Sequence, residues 1–138
     1  METLAVECRC GAVQLQLTGK PLEHFYCHCD DCQAMHGGAY VPEALYRADA
    51  VQVTRGAPAS WTLKKNPRFA CTTCGTRLFI DVLAFGLRGV NGYLLPPGAF
   101  EPTFHMHCRF AVRPVSDGLP HFLALPARFG GSDATVDW

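Results

Sequence analysis

A single, strongly β-dominated domain fastened by metal-bound thiolates is the fold this sequence predicts, on three observations. Short apolar–polar alternations recur along the chain, glycine and proline punctuate them, and seven of the eight cysteines fall into three tight clusters. With 138 residues, 49% hydrophobic and 17% charged, the chain can bury a core and is too apolar to be disordered. The expected domain covers residues 1–138, with its core over about 5–126 and a loose, glycine-rich tail over 127–138.

The elements follow in order. Leu4, Val6 and Cys8 alternate with polar or small neighbours, and Val13, Leu15 and Leu17 alternate with Gln14 and Gln16, the pattern of half-buried strands. Cys8-Arg9-Cys10-Gly11 lies between them and so belongs at a hairpin tip. One short helix is expected: Asp30 caps it, Cys32 to His36 form its body and Gly37-Gly38 end it. Val51–Val53, Trp61–Leu63, Leu78–Ile80 and Phe104–Val112 read as further strands. On the last of these His105 and His107 would share one face, with Cys108 on the other as a small buried hydrophobe.

The cysteine spacing carries the chemistry. Cys71-x-x-Cys74-Gly75 places two sulfurs on one ion, with Gly75 free to take the positive φ such a turn needs. Cys8-x-Cys10-Gly11 offers a second pair, so Cys8, Cys10, Cys71 and Cys74 complete a closed, structural four-thiolate zinc site. Cys27-His28-Cys29-Asp30-Asp31-Cys32 supplies three thiolates for a second zinc, which makes two zinc ions per chain. That site is either open or closed by a fourth ligand from His24, His28, Asp30, Asp31, His36, His105, His107 or Cys108. An open three-thiolate zinc is thiophilic, so its natural substrate is a thiol, and catalysis centres on Cys27, Cys29 and Cys32. His105 is a weaker candidate, as acid–base catalyst.

Formal charge is zero, and seven thiolates with two divalent ions would bring the loaded protein to about −3. A nucleic-acid partner is therefore not expected, since that needs a basic excess. Residues 1–20 hold no uninterrupted apolar stretch of the signal-peptide kind, which argues against a disulfide framework and for a reducing, cytoplasmic setting. No apolar run approaches the ~20 residues of a membrane span.

Taken together, Cys8 to Gly11, Cys27 to Gly37 and Arg68 to Phe79, followed by Asp117-Gly118-Leu119-Pro120-His121-Phe122, resemble the glutathione-dependent formaldehyde-activating family, which includes centromere protein V relatives. The resemblance implies an Mss4-like β-tent of antiparallel sheets with bound zinc and one short helix. It implies structural zinc at Cys8, Cys10, Cys71 and Cys74 and an active-centre ion at Cys27, Cys29 and Cys32. The implied activity is that of a carbon–sulfur lyase joining formaldehyde to glutathione to give S-hydroxymethylglutathione, a small thiol and a small aldehyde being the partners. Asp30 stands where the family usually has serine, and Gln33 where it has a basic residue, so the rim of the site reads as more negative. Glutathione's carboxylates then need compensation from Arg47, Arg55, Lys64, Lys65 or Arg88, or the thiol is a less anionic one. The rival class is a non-enzymatic zinc scaffold with both ions structural.

Overall fold

Ten strands, one α-helix and five short 3-10 turns make up the computed structural model, which describes residues 1–138. The mainly-β fold with one helix is the class the sequence predicts. The chain divides into two units, Met1–Glu23 with Ala44–Phe100, and His24–Glu43 with Glu101–Trp138.

In the first unit the alternating segments form β1 (Thr3–Glu7) and β2 (Gln14–Thr18), antiparallel with Leu4 opposite Leu17 and Val6 opposite Leu15. This register puts Val6, Leu15 and Leu17 on the covered face, and all three are buried. The other edge of β2 takes β5 (Val51–Arg55), with Leu17 opposite Val51. A second antiparallel set runs through β6 (Ala59–Leu63), β7 (Asn66–Ala70), β8 (Arg77–Val82) and β9 (Leu87–Asn91). Phe69 and Phe79 face one another across β7 and β8 with ring centroids 4.5 Å apart. The core of this unit joins Val6, Leu15, Leu17, Val51, Leu78, Phe79 and Val90 with two cysteines, Cys8 and Cys71. The thiolate ligands are thus rooted in the apolar core, and burying each of these aliphatic side chains contributes about 1.5–3 kcal/mol.

Four strands were not anticipated: β7, β9, β3 (Glu23–Cys27) and β4 (Val41–Arg47). Val41 to Tyr46 are buried without a break, so β4 lacks the two-residue period that identifies a strand covered on one face. The expected strand Phe104–Val112 shortens to β10 (Phe104–Met106). His107 takes a left-handed φ of 55°, and Cys108–Phe110 continue as a 3-10 turn.

In the second unit β10 lies parallel to β3, with Phe104 opposite Phe25, His105 opposite Tyr26 and Met106 opposite Cys27. A helix, α1 (Asp30–His36), follows β3. Residues 127–138, expected as a loose tail, are tied back by hydrogen bonds. Leu123 N donates to Ala134 O at 2.8 Å and Val136 N to His121 O at 2.9 Å. Trp138 ends on the His121 ring, 4.7 Å between centroids. No helix is long and apolar enough to cross a membrane.

Candidate metal centres

The Cys8–Val13 turn between β1 and β2 is closed by Cys8 N to Val13 O and Gly11 N to Cys8 O, each 3.0 Å. Gly11 has φ +81°, which a side chain rarely adopts. The Val13 amide then donates to Cys8 Sγ at 3.2 Å. The loop between β7 and β8 repeats the device. Gly75 N donates to Cys71 O at 2.9 Å, Gly75 has φ +77°, and the Cys74 amide points at Cys71 Sγ, 3.5 Å away. The Thr76 hydroxyl lies 3.0 Å from Cys74 Sγ and accepts from Arg9 N at 3.1 Å, linking the two turns.

The result is that Cys8, Cys10, Cys71 and Cys74 place all four sulfurs within 4.8 Å of one another. Cys8 and Cys10 are 3.7 Å apart and Cys10 and Cys71 3.8 Å. Four sulfurs about 2.3 Å from a central ion lie about 3.8 Å apart, so this donor set fits tetrahedral zinc. Hydrogen bonds from the Thr76 hydroxyl and amide bring the Cys74 thiol down to about 5. The Ala12 amide pulls Cys10 the same way, but desolvation and the neighbouring thiols outweigh it and leave Cys10 at about 11. Protons thus remain in the cluster until a cation replaces them.

The second cluster is built by the exit of β3 and the start of α1. Cys27 ends the strand, Cys29 is the helix cap, and Cys32 lies in the first turn. Asp30, expected as the cap, is instead the first helical residue. The Cys29 sulfur accepts from Cys32 N at 3.2 Å. Gly37 ends the helix in the left-handed conformation, as expected. The sulfurs of Cys27, Cys29 and Cys32 lie within 4.8 Å of one another, and no other histidine, cysteine or carboxylate joins that group. Cys27 and Cys32 are buried, while Cys29 is half-buried.

Charge in this cluster is unevenly divided. Bonds from the Cys27 and Cys32 thiols, with the Cys32 amide and the nearby His107, hold Cys29 as a thiolate with a pKa of about 2. Contact with Cys29 and Cys32 and burial push Cys27 well up, with Glu43 adding its negative charge. At Cys32 the Cys27 thiol pulls downward, but Cys29, burial and Glu43 win and push it up to about 12. Three thiolates at this distance need a cation, which is the property of a metal-binding donor set.

Gln33 and three of the five cations weighed for the rim have partners within the protein. The Gln33 amide donates to His28 O at 2.7 Å and to Phe110 O at 2.8 Å, so it clamps backbone. Arg47, Arg55 and Arg88 are paired with Asp49, Glu7 and Asp81. Arg109, which sequence reasoning passed over, places its charge near His107, whose own pKa burial lowers. His107 and His105 also part company. His107 interacts with Cys29 and Asp30, whereas His105 Nδ1 is 2.8 Å from His28 Nε2 and its Nε2 is 2.6 Å from Asp117 Oδ2. Cys108 stays apart from both clusters, and burial raises its thiol to about 12.

A third group was not foreseen: His105, Asp117 and His121 bring one donor atom each within 4.8 Å of the others. Its only trace in the sequence is the four-residue spacing of Asp117 and His121, inside a segment that carried the resemblance but no assigned role.

Comparison with known proteins adds two findings. The profile of the family described as glutathione-dependent formaldehyde-activating enzyme matches residues 3–110. A crystal structure of a Rhodobacter sphaeroides protein is similar in fold, with a TM-score of 0.57 and 23% identity, over 68% of this chain and 89% of that one. No curated protein matches the chain.

Proposed function

Because this chain belongs to the glutathione-dependent formaldehyde-activating enzyme family, we propose that it is a zinc-dependent carbon–sulfur lyase joining a small thiol, glutathione or a similar one, to a small aldehyde such as formaldehyde. The observation that carries this reading is the second cluster: three cysteine sulfurs converge with no fourth protein donor, and one of them, Cys29, is half-buried. A zinc ion held there would supply a Lewis-acidic position that lowers the pKa of an incoming thiol.

In the reaction the substrate sulfur adds to the carbonyl carbon, a C–S bond forms, and the C=O π pair moves to oxygen. That oxygen takes up the proton the thiol loses, giving a hydroxymethyl thioether with atoms and charge balanced. His107 is the side chain we assign to that proton. It is electrostatically coupled to Cys29, and its buried Nδ1 has no hydrogen-bond partner, while both ring nitrogens of His105 are engaged. Arg109, two residues on, is the cation we assign to a substrate carboxylate, which fits an anionic thiol. All eight cysteines are free thiols, which fits work in a reducing compartment such as the cytoplasm.

Native mass spectrometry of zinc-loaded protein titrated with glutathione tests this. A saturable adduct that disappears in Cys29→Ala, with S-hydroxymethylglutathione formed faster than in buffer once formaldehyde is added, is expected. Two tightly held zinc ions with no adduct and no rate enhancement would instead make both ions structural.

A further inference from the structure

We infer that His105, Asp117 and His121 form a third metal site, distinct in donor chemistry from the two thiolate clusters, for a divalent transition ion that prefers nitrogen and oxygen. Two imidazoles and one carboxylate are the donor set of many zinc and non-haem iron sites, and they leave positions open for water or substrate.

The backbone brings the three side chains together. His105 and His121 face one another across an isolated parallel bridge, fixed by His105 N to Pro120 O and Phe122 N to His105 O, each 2.9 Å. This sets the two rings 4.5 Å apart, centroid to centroid. Asp117 reaches both: its Oδ2 is 2.6 Å from His105 Nε2 and its Oδ1 is 3.2 Å from His121 Nε2. Donors about 2.0–2.2 Å from a common ion lie about 2.9–3.5 Å apart, so the closer pair needs to open by only a few tenths of an ångström.

A hydrogen-bond network alone leaves this arrangement incomplete. His105 is fully buried and His121 is 4% exposed, yet His121 Nε2, 3.2 Å from Asp117 Oδ1, makes no hydrogen bond. A buried ring nitrogen that makes no hydrogen bond is costly, and an ion between the three groups would satisfy it. The surroundings also fit a metal centre. His28 Nε2 contacts His105 Nδ1 and fixes that ring from behind, the usual role of an outer partner. The Leu119 amide donates to Asp117 Oδ1 at 3.1 Å, and Trp138 covers the His121 ring. Asp117 itself is exposed, which gives an ion a way in.

The test uses zinc-saturated protein titrated with Co(II). One further equivalent is expected, giving visible d–d bands without the near-ultraviolet charge transfer that sulfur ligands produce. It should be retained in Cys29→Ala, and its affinity should fall at least 100-fold in Asp117→Asn and His121→Gln. His28→Gln should weaken it 10- to 100-fold through the outer shell. Should either variant at the site fail to fold, 113Cd NMR of the unmodified protein gives an independent reading: three resonances, one in the nitrogen–oxygen range. Absence of a third equivalent, or a third equivalent with sulfur charge transfer, would overturn the proposal. Loss of the glutathione adduct with this signature intact would count against the proposed lyase activity and leave the third site standing.

Discussion

The loop that carries Cys8 and Cys10 leans on a glycine that is distant in sequence, and replacing that glycine should loosen the metal site without touching a ligand. Gly56 follows β5 with φ +82°. A Cβ placed there would overlap the Ala12 carbonyl oxygen and sit 3.1 Å from Ala12 C and 3.2 Å from Val13 Cα. These are backbone atoms, so the turn itself must move. Next to it Arg55 holds Gly11 O through Nε at 3.1 Å and Nη2 at 2.7 Å. Gly86, with φ +63° and nothing within 4 Å of where a Cβ would stand, provides the control. Both substitutions to alanine carry the left-handed penalty of roughly 1–2 kcal/mol, partly offset by a stiffer unfolded chain. Gly56→Ala adds the steric displacement, about 1–3 kcal/mol by analogy with overpacking. Thermal unfolding should therefore fall by about 4 °C for Gly86→Ala and by about 10 °C for Gly56→Ala. Zinc release to a chromogenic chelator should be about tenfold faster in Gly56→Ala only, as for loss of a supporting shell. Midpoints within about 2 °C of one another, with equal zinc release, would refute the claim that Gly56 braces the metal loop.

Other predictions follow from the same structure. Cys10→Ser should lower zinc content by one and cost several kcal/mol of stability, while Cys29→Ala should also lose one zinc yet unfold within a few degrees of the parent. Elemental analysis with calorimetry reads both, and equal destabilisation would show that the second ion contributes as much folding free energy as the first. Arg109→Met should raise KM for glutathione about 10- to 100-fold with kcat little changed, the worth of one charge-assisted contact; an unchanged KM removes Arg109 from substrate binding. Burial lifts the Cys108 thiol to about 12 against an ordinary value near 9. Its native state therefore holds a proton the unfolded chain loses, so stability is intact below pH 9 and declines between pH 9 and 12, by ~2 kcal/mol at pH 10.5. Cys108→Ala should flatten that alkaline decline in urea titrations, and an unaltered slope would place the cause elsewhere.

The cysteine spacing made both thiolate clusters legible because ligand geometry is local: a gap of one or two residues lets two sulfurs face one ion wherever the turn sits. The β1–β2 hairpin was legible for a similar reason, Leu15 and Leu17 alternating against glutamines on a sheet with one covered face. β4 was not, since Val41 to Tyr46 are buried throughout and show no period. The role of Gln33 was not legible, since its amide binds the carbonyl of Phe110, seventy-seven residues away. The His105–Asp117–His121 group was hidden for the same reason: it depends on a backbone bridge between His105 and His121, and no sequence period records such a pairing.

One backbone event sets the two histidines of this unit apart. A regular strand through His107 would have put His105 and His107 on one face, two imidazoles competing for one environment. The left-handed turn at His107, φ 55° and ψ 35°, breaks that alternation at a cost of order 1–3 kcal/mol for a residue other than glycine. Its consequence is a division of donors. His105 is delivered to Asp117 and His121, and His107 to the neighbourhood of Cys29. The sulfur donors of Cys27, Cys29 and Cys32 and the nitrogen–oxygen donors of His105, Asp117 and His121 thus form separate groups. The turn is held by its own backbone, His107 N donating to Ala124 O at 2.8 Å and Phe110 N to His107 O at 3.1 Å, so the two histidines stay in separate surroundings.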